Sequence, residues 1–144
     1  MMQLHELEPG LWVAPALSVD NLDDLARRGV KSVICNRRPG EAADHDAQAM
    51  QARAAILGIQ WRAIPVTPGD YSDEDIAAFA EALAKLPRPL VAFCRTGRRA
   101  THLWAHARSQ QPSCDLAVLL AAARKAGHDL EDRRALLEAA ARQG

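Results

Sequence analysis

Leu90-Val91-Ala92-Phe93-Cys94-Arg95-Thr96-Gly97-Arg98-Arg99-Ala100-Thr101 is the stretch on which the reading of this chain turns. Leu90 to Phe93 is a short unbroken apolar run, as expected of a strand buried on both faces. From Cys94 the chain turns through a loop containing Gly97 into a helix reaching about Arg108. Such a loop aims its own N–H groups and those of the helix start at one centre. Together with the local positive charge they would stabilise a thiolate on Cys94. Gly97 allows a positive φ and a close approach of backbone to a bound anion. Arg99 can reach back with a guanidinium fork that suits phosphate or sulfate-like oxygens. Thr101 has two readings: a hydrogen bond to the sulfur or a leaving group, or a solvated threonine in the first turn. The plain alternative for the whole segment is a buried core cysteine with surface arginines nearby.

Outward from this segment, strands alternate with helices. Gly10 to Pro15 reads as a first strand, followed by a helix that Ser18 caps and Gly29 stops, with Leu22, Leu25 and Ala26 on one face. Val30 to Cys35 is a strand, Asn36 to Glu41 a polar loop and Asp44 to Leu57 a helix ended by Gly58. Ile59 to Val66 reads as another strand. Ser72 followed by Asp73, Glu74 and Asp75 announces a further helix with Ile76, Phe79, Ala80 and Leu83 buried, ended by Pro87 and Pro89. Leu116, Leu119, Leu120 and Ala123 mark one more helix, and Leu136, Leu137 and Ala140 a last one. This order predicts an α/β fold: a mostly parallel central sheet with helices on both sides. Ligands of such sheets sit at the carboxyl ends of the strands. Arg37, Asp70 and Cys94 are all expected there.

Composition narrows the function. The length of 144 residues suits a single domain, 1–144. Lys+Arg 18 against Asp+Glu 18 leaves no net field to attract nucleic acid or an anionic membrane. Aromatic residues at 4% do not supply stacking platforms for single strands. No apolar stretch is long enough to span a bilayer. The start, Met1-Met2-Gln3-Leu4-His5-Glu6, lacks the pattern of a secretory signal. With three cysteines, Cys35, Cys94 and Cys114, the expected setting is a reducing cytoplasm. Cys35 is read as a structural thiol that pairs with Cys94 only if the two strand ends are neighbours; Cys114 is read as inert. His102 and His106 stand four apart on a helix with no third metal ligand nearby, so a solvated or core pair is expected, and no metal or cofactor is called for. Arg124, Lys125, Arg133 and Arg134 read as solvated charges.

The sequence resembles a known family: the phosphatase-like domain fused, in some bacterial proteins, to a β-lactamase-fold hydrolase or sulfur dioxygenase, and found also alone. The matching pieces are Leu11-Trp12-Val13, Asn36-Arg37 with Gly40-Glu41, Ile64-Pro65-Val66-Thr67 and Cys94-Arg95-Thr96-Gly97-x-Arg99. The resemblance runs from about Gly10 to Trp104, with a weaker echo in Ala126-Gly127-His128-Asp129-Leu130. It implies a fold similar to dual-specificity phosphatases, Cys94 as nucleophile and Arg99 as the oxyanion-binding arginine. The chain departs from the pattern in three places. Arg38-Pro39 stands where the family has proline then aspartate. Phe93 stands where most tyrosine phosphatases have histidine, and Thr67 where the dual-specificity fold has its acid.

Two chemistries follow, and a third class. A cysteine phosphatase would act through a thiophosphate on phosphate monoesters, aryl or phosphotyrosine-like above all. Cys94 and Arg99 would be catalytic and Asp70 the substitute acid, although Asp70 reads somewhat better as a turn residue ahead of a capped helix. Arg95, Thr96, Gly97 and Arg98 would bind the substrate, with Arg37 as a second positive contact. A rhodanese-type sulfurtransferase needs no acid: Cys94 would accept sulfur from a donor and pass it to an acceptor. The four residues between Cys94 and Arg99, where tyrosine phosphatases have five, favour that reading. The whole-domain resemblance and the placed arginine put the phosphatase first. A non-catalytic oxyanion-binding module comes last, because it would not need the thiol.

Overall fold

A computed structural model describes residues 3–41 and 47–143. Five short strands form one sheet in the order β1-β2-β5-β3-β4. They are β1 (His5–Glu8), β2 (Leu11–Ala14), β3 (Ser32–Cys35), β4 (Gln60–Ala63) and β5 (Leu90–Phe93). Only the β1–β2 pair is antiparallel; β2, β5, β3 and β4 run parallel. The helices are α1 (Val19–Arg27), α2 (Ala47–Leu57), α3 (Asp73–Lys85), α4 (Arg98–Ser109), α5 (Leu116–Lys125) and α6 (Arg134–Gln143).

The central strand β5 explains the layering. Its side chains alternate between two cores, as the pleat requires. Leu90 and Ala92 join Phe79, Leu103, Leu120 and Leu137 on the α3–α6 side. Val91 and Phe93 join Leu22, Leu25, Met50 and Ala54 on the α1–α2 side. All four β5 residues are fully buried, which is why the strand reads as an unbroken apolar run. Capping boxes start α1 and α3: Ser18 with Asn21 and Ser72 with Asp75 each exchange side-chain and backbone bonds.

Three differences from the sequence reading have physical causes. β1 was not expected, because His5-Glu6-Leu7-Glu8 has a single apolar residue, and only Leu7 enters the core. Glu8 then ties this edge strand to α4, accepting from Trp104 Nε1 (2.6 Å) and from both Nε and Nη2 of Arg108 (2.7 and 2.6 Å). β4 stops at Ala63. Ile64 to Val66 continues beside β3 as irregular chain, held by the Asn36 amide donating to the Ile64 carbonyl (2.9 Å). A short 3-10 turn, Glu131–Arg133, precedes α6. The expected start of α2 at Asp44 lies outside the described residues. No helix among those described is long and apolar enough to cross a membrane.

Phe79 is the largest side chain buried without exposure on α3. Phe79→Ala is expected to cost about 3–5 kcal/mol of folding stability, read as a lower midpoint in a urea titration; a loss below about 1 kcal/mol would mean that α3 does not anchor this core.

Candidate active site

Cys94 follows β5 directly, at the carboxyl edge where the loops after β3 and β4 also emerge. The loop is tied down on both flanks: Ala16 N–H donates to the Arg95 carbonyl (3.1 Å) and Asn36 N–H to the Phe93 carbonyl (2.9 Å). Gly97 is the residue before α4, at φ +91°. That turn brings its N–H to 3.1 Å from the Cys94 sulfur. A Cβ on Gly97 would lie 3.2 Å from His128 Nε2 and 3.4 Å from the Ala14 carbonyl oxygen, so both conformation and space call for glycine. Cys94 is only 1% exposed.

Arg99, the second residue of α4, is 4% exposed. A buried guanidinium needs acceptors around it, and three segments supply them to its two Nη groups. Nη1 donates to Glu41 Oε1 (2.6 Å), the Val66 carbonyl (3.1 Å) and the Asn36 carbonyl (3.3 Å). Nη2 donates to Glu41 Oε2 (2.6 Å). The Glu41 hydrogen bonds raise the Arg99 pKa most, and the Cys94 sulfur beside it raises it further. In return Arg99 holds the Glu41 carboxyl down to about 2. Arg37, also buried, leans on the same carboxylate through Nε (3.3 Å). Glu41 figured in the sequence only as part of a matching piece; its role as the anchor of Arg99 spans 58 residues and has no local signal.

Two cavities of about 390 and 440 Å³ share Pro68, Arg95 and Arg99 as lining. The larger opens toward Arg37, Arg38 and Glu41. The smaller opens toward Thr96, Arg98, Tyr71, His102 and Arg133. Arg95, Thr96 and Arg98 are exposed at the mouth, with Arg98 paired to Asp132 at 3.2 Å. Asp70 is exposed, its N–H bonded to the Thr67 carbonyl (3.0 Å), and it lines neither cavity. Thr101 matches neither of its readings. It is fully buried and its hydroxyl donates to the Gly97 carbonyl (2.8 Å), bracing the loop from behind. Cys35 stands opposite Phe93 in the sheet and packs in the α1–α2 core, where burial pushes its thiol up to about 11. Phe93 itself packs on Trp61, ring centroids 6.1 Å apart.

The histidines are core residues. His102 Nδ1 lies 2.7 Å from the Tyr71 hydroxyl, and its Nε2 is buried without a partner. His106 Nε2 accepts from Arg133 Nε (3.0 Å). No cluster of three metal-ligating side chains occurs among the described residues. Arg133 is not a solvated charge: it is half-buried, with its guanidinium 5.1 Å from the centre of the Tyr71 ring. Sequence reasoning missed Tyr71 and Arg133 because nothing in their own neighbourhoods points to the cavity.

Burial pushes the imidazoles down from an ordinary 6.5, His102 to about 3 and His106 to about 4. Both bind a proton near 6.5 in the unfolded chain and resist it in the fold, so between those values the unfolded state holds more protons. Their stabilisation is whole above about 6.5 and is lost as pH falls toward 4 and then 3. Urea midpoints are expected to drop steadily from pH 7 to pH 4. His106→Gln, which keeps an acceptor for Arg133, should flatten the curve; an unchanged slope would assign the acid loss elsewhere.

Comparison with known proteins gives a consistent answer. Residues 3–112 match the family described as beta-lactamase hydrolase-like protein, phosphatase-like domain. A beta-lactamase hydrolase-like protein of Xylella fastidiosa (strain Temecula1) is 30% identical over 105 residues, 72% of this chain and 24% of the relative. The chain thus spans about a quarter of the length of the curated relatives it matches. A candidate phosphatase of Neisseria meningitidis Z2491 superposes with a TM-score of 0.82 at 28% identity, over 94% of this chain and 96% of that one. Kinase-associated phosphatase, solved with serine in place of its catalytic-site cysteine, superposes at 0.76 with 13% identity, over 96% and 92% of the two chains. At that identity the likeness concerns the fold alone.

Proposed function

The chain belongs to the family of phosphatase-like domains of beta-lactamase hydrolase-like proteins, and on that premise we propose that it is a cysteine-dependent hydrolase of phosphate monoesters. One observation carries the reading: the Cys94 sulfur accepts from the Gly97 N–H beside a buried arginine that Glu41 locks in place. A sulfur so held can carry negative charge, and the donors of Arg99 not used by Glu41 and the two carbonyls are left for the oxygens of an anion. Cys94 attacks phosphorus; the S–P bond forms as the bond to the ester oxygen breaks. The leaving oxygen takes a proton from water, or from Asp70 on the neighbouring Pro68–Tyr71 loop. Water then attacks phosphorus, releasing inorganic phosphate and returning the thiol. Aryl esters are favoured, because a phenoxide leaves without an acid. Arg95, Thr96, Gly97 and Arg98 frame the anion, and Arg37 adds charge from the larger cavity.

The short loop between Cys94 and Arg99 supports a second reading, sulfur transfer. Cys94 would attack the sulfane sulfur of thiosulfate, sulfite would leave, and the persulfide would pass its outer sulfur to a thiol or cyanide. This chemistry needs neither an acid nor a full phosphate cradle.

Release of nitrophenol from 4-nitrophenyl phosphate, measured alongside intact-protein mass after incubation with thiosulfate, separates the two. The phosphatase reading expects hydrolysis that falls about a thousandfold or more in Cys94→Ser, with no gain of one sulfur atom. A sulfur adduct without hydrolysis would replace that reading with the sulfur carrier. Asp70→Asn should spare aryl phosphates and slow alkyl ones; equal retention of both would remove Asp70 from the chemistry.

A further inference from the structure

The smaller cavity carries a cation that neither chemistry uses. Arg133 ends the 3-10 turn Glu131–Arg133, C-terminal to residues 3–112, the stretch that the family model matches. Its Nε–H donates to His106 Nε2. A guanidinium nitrogen can only donate, so that imidazole nitrogen is the bare acceptor, and burial keeps the ring neutral at physiological pH. The guanidinium also lies against the Tyr71 ring, and the Tyr71 hydroxyl is bonded to His102. None of these neighbours carries negative charge. The nearby acids have other partners: Asp132, which also lines this cavity, pairs with Arg98 at 3.2 Å, and Glu131 pairs with Arg124 and Arg134. Among the described residues no carboxylate pairs with Arg133.

Arg133 is therefore a half-buried fork held by an imidazole and an aromatic face, and among the described residues its charge is uncompensated and its Nη donors are open. It lines the same cavity as Arg99. At about 390 Å³ this cavity is of the size that holds a small organic ligand, larger than a bare oxyanion requires. Pro68 and Tyr71 give the stretch between the two arginines an apolar wall.

We propose that Arg133 binds a second anionic group of the substrate, a carboxylate or phosphate. That group is joined by a short organic spacer to the oxyanion held at Cys94 and Arg99. The assignment rests on the reading that the loop after β5 binds an oxyanion. It makes the substrate a small doubly anionic molecule and places the selecting contact in the turn ahead of α6.

Calorimetry with non-hydrolysable probes tests this without turnover. Alkylphosphonates of two to six carbons are compared with the ω-carboxyalkylphosphonates of the same lengths. One length is expected to bind about tenfold tighter with the carboxylate than without it. Arg133→Gln and Arg133→Met should both erase that gain and leave alkylphosphonate affinity as in the parent protein. A gain at no length, or a gain that survives both variants, would overturn the assignment. So would loss of alkylphosphonate binding in both variants, because Arg133 would then hold the loop and not the ligand. If no phosphonate binds the parent protein, the oxyanion reading of the loop fails, and the Arg133 assignment fails with it.

Discussion

Burying the Arg99 guanidinium constrains everything around it. A charge placed at 4% exposure is tolerated only where acceptors surround it. Here those acceptors come from three chain segments: the carbonyl after β3, the carbonyl after β4 and the Glu41 carboxylate. They meet because the strands are parallel, so that the loops after β3, β4 and β5 leave the sheet on one edge. The same guanidinium fixes the start of α4, and the start of α4 fixes the Gly97 N–H against the Cys94 sulfur. Removing any one of these supports would leave a buried polar group unsatisfied, so the loop around Cys94 is held as a unit.

Around this unit the molecule divides its charge. Arg37 and Glu41 line the larger cavity, and Glu41, itself paired with Arg37, also braces Arg99. The smaller cavity is built differently, from the Pro68–Tyr71 loop, one face of α4 and the turn ahead of α6. Its buried histidines are neutral hydrogen-bonding groups, and their service is positional. His102 holds the Tyr71 hydroxyl and His106 holds Arg133. The two share one side of α4 because four residues separate them, close to one turn, and His102 of the pair lines the cavity. The spacing that would suit a metal pair instead aligns a tyrosine and an arginine.

The sequence by itself determined the elements whose causes are local. The apolar run at β5, the serine caps of α1 and α3 and the glycine at the head of α4 each state their conformation within a few residues. Alternation of such elements was enough for a parallel sheet with helices on both faces, and for Cys94 and Arg99 at its carboxyl edge. The edge strand β1 was not legible, because a strand with one buried residue has no periodicity of its own and exists by pairing with β2. Tertiary structure alone decided the rest. Glu41 meets Arg99 across 58 residues, Tyr71 meets His102 across 31, and Arg133 meets His106 across 27. A charged or aromatic residue reads alike in sequence whether it is solvated or aimed into a cavity. What separates the two is burial and the choice of partner, and these come into being only when distant segments pack together.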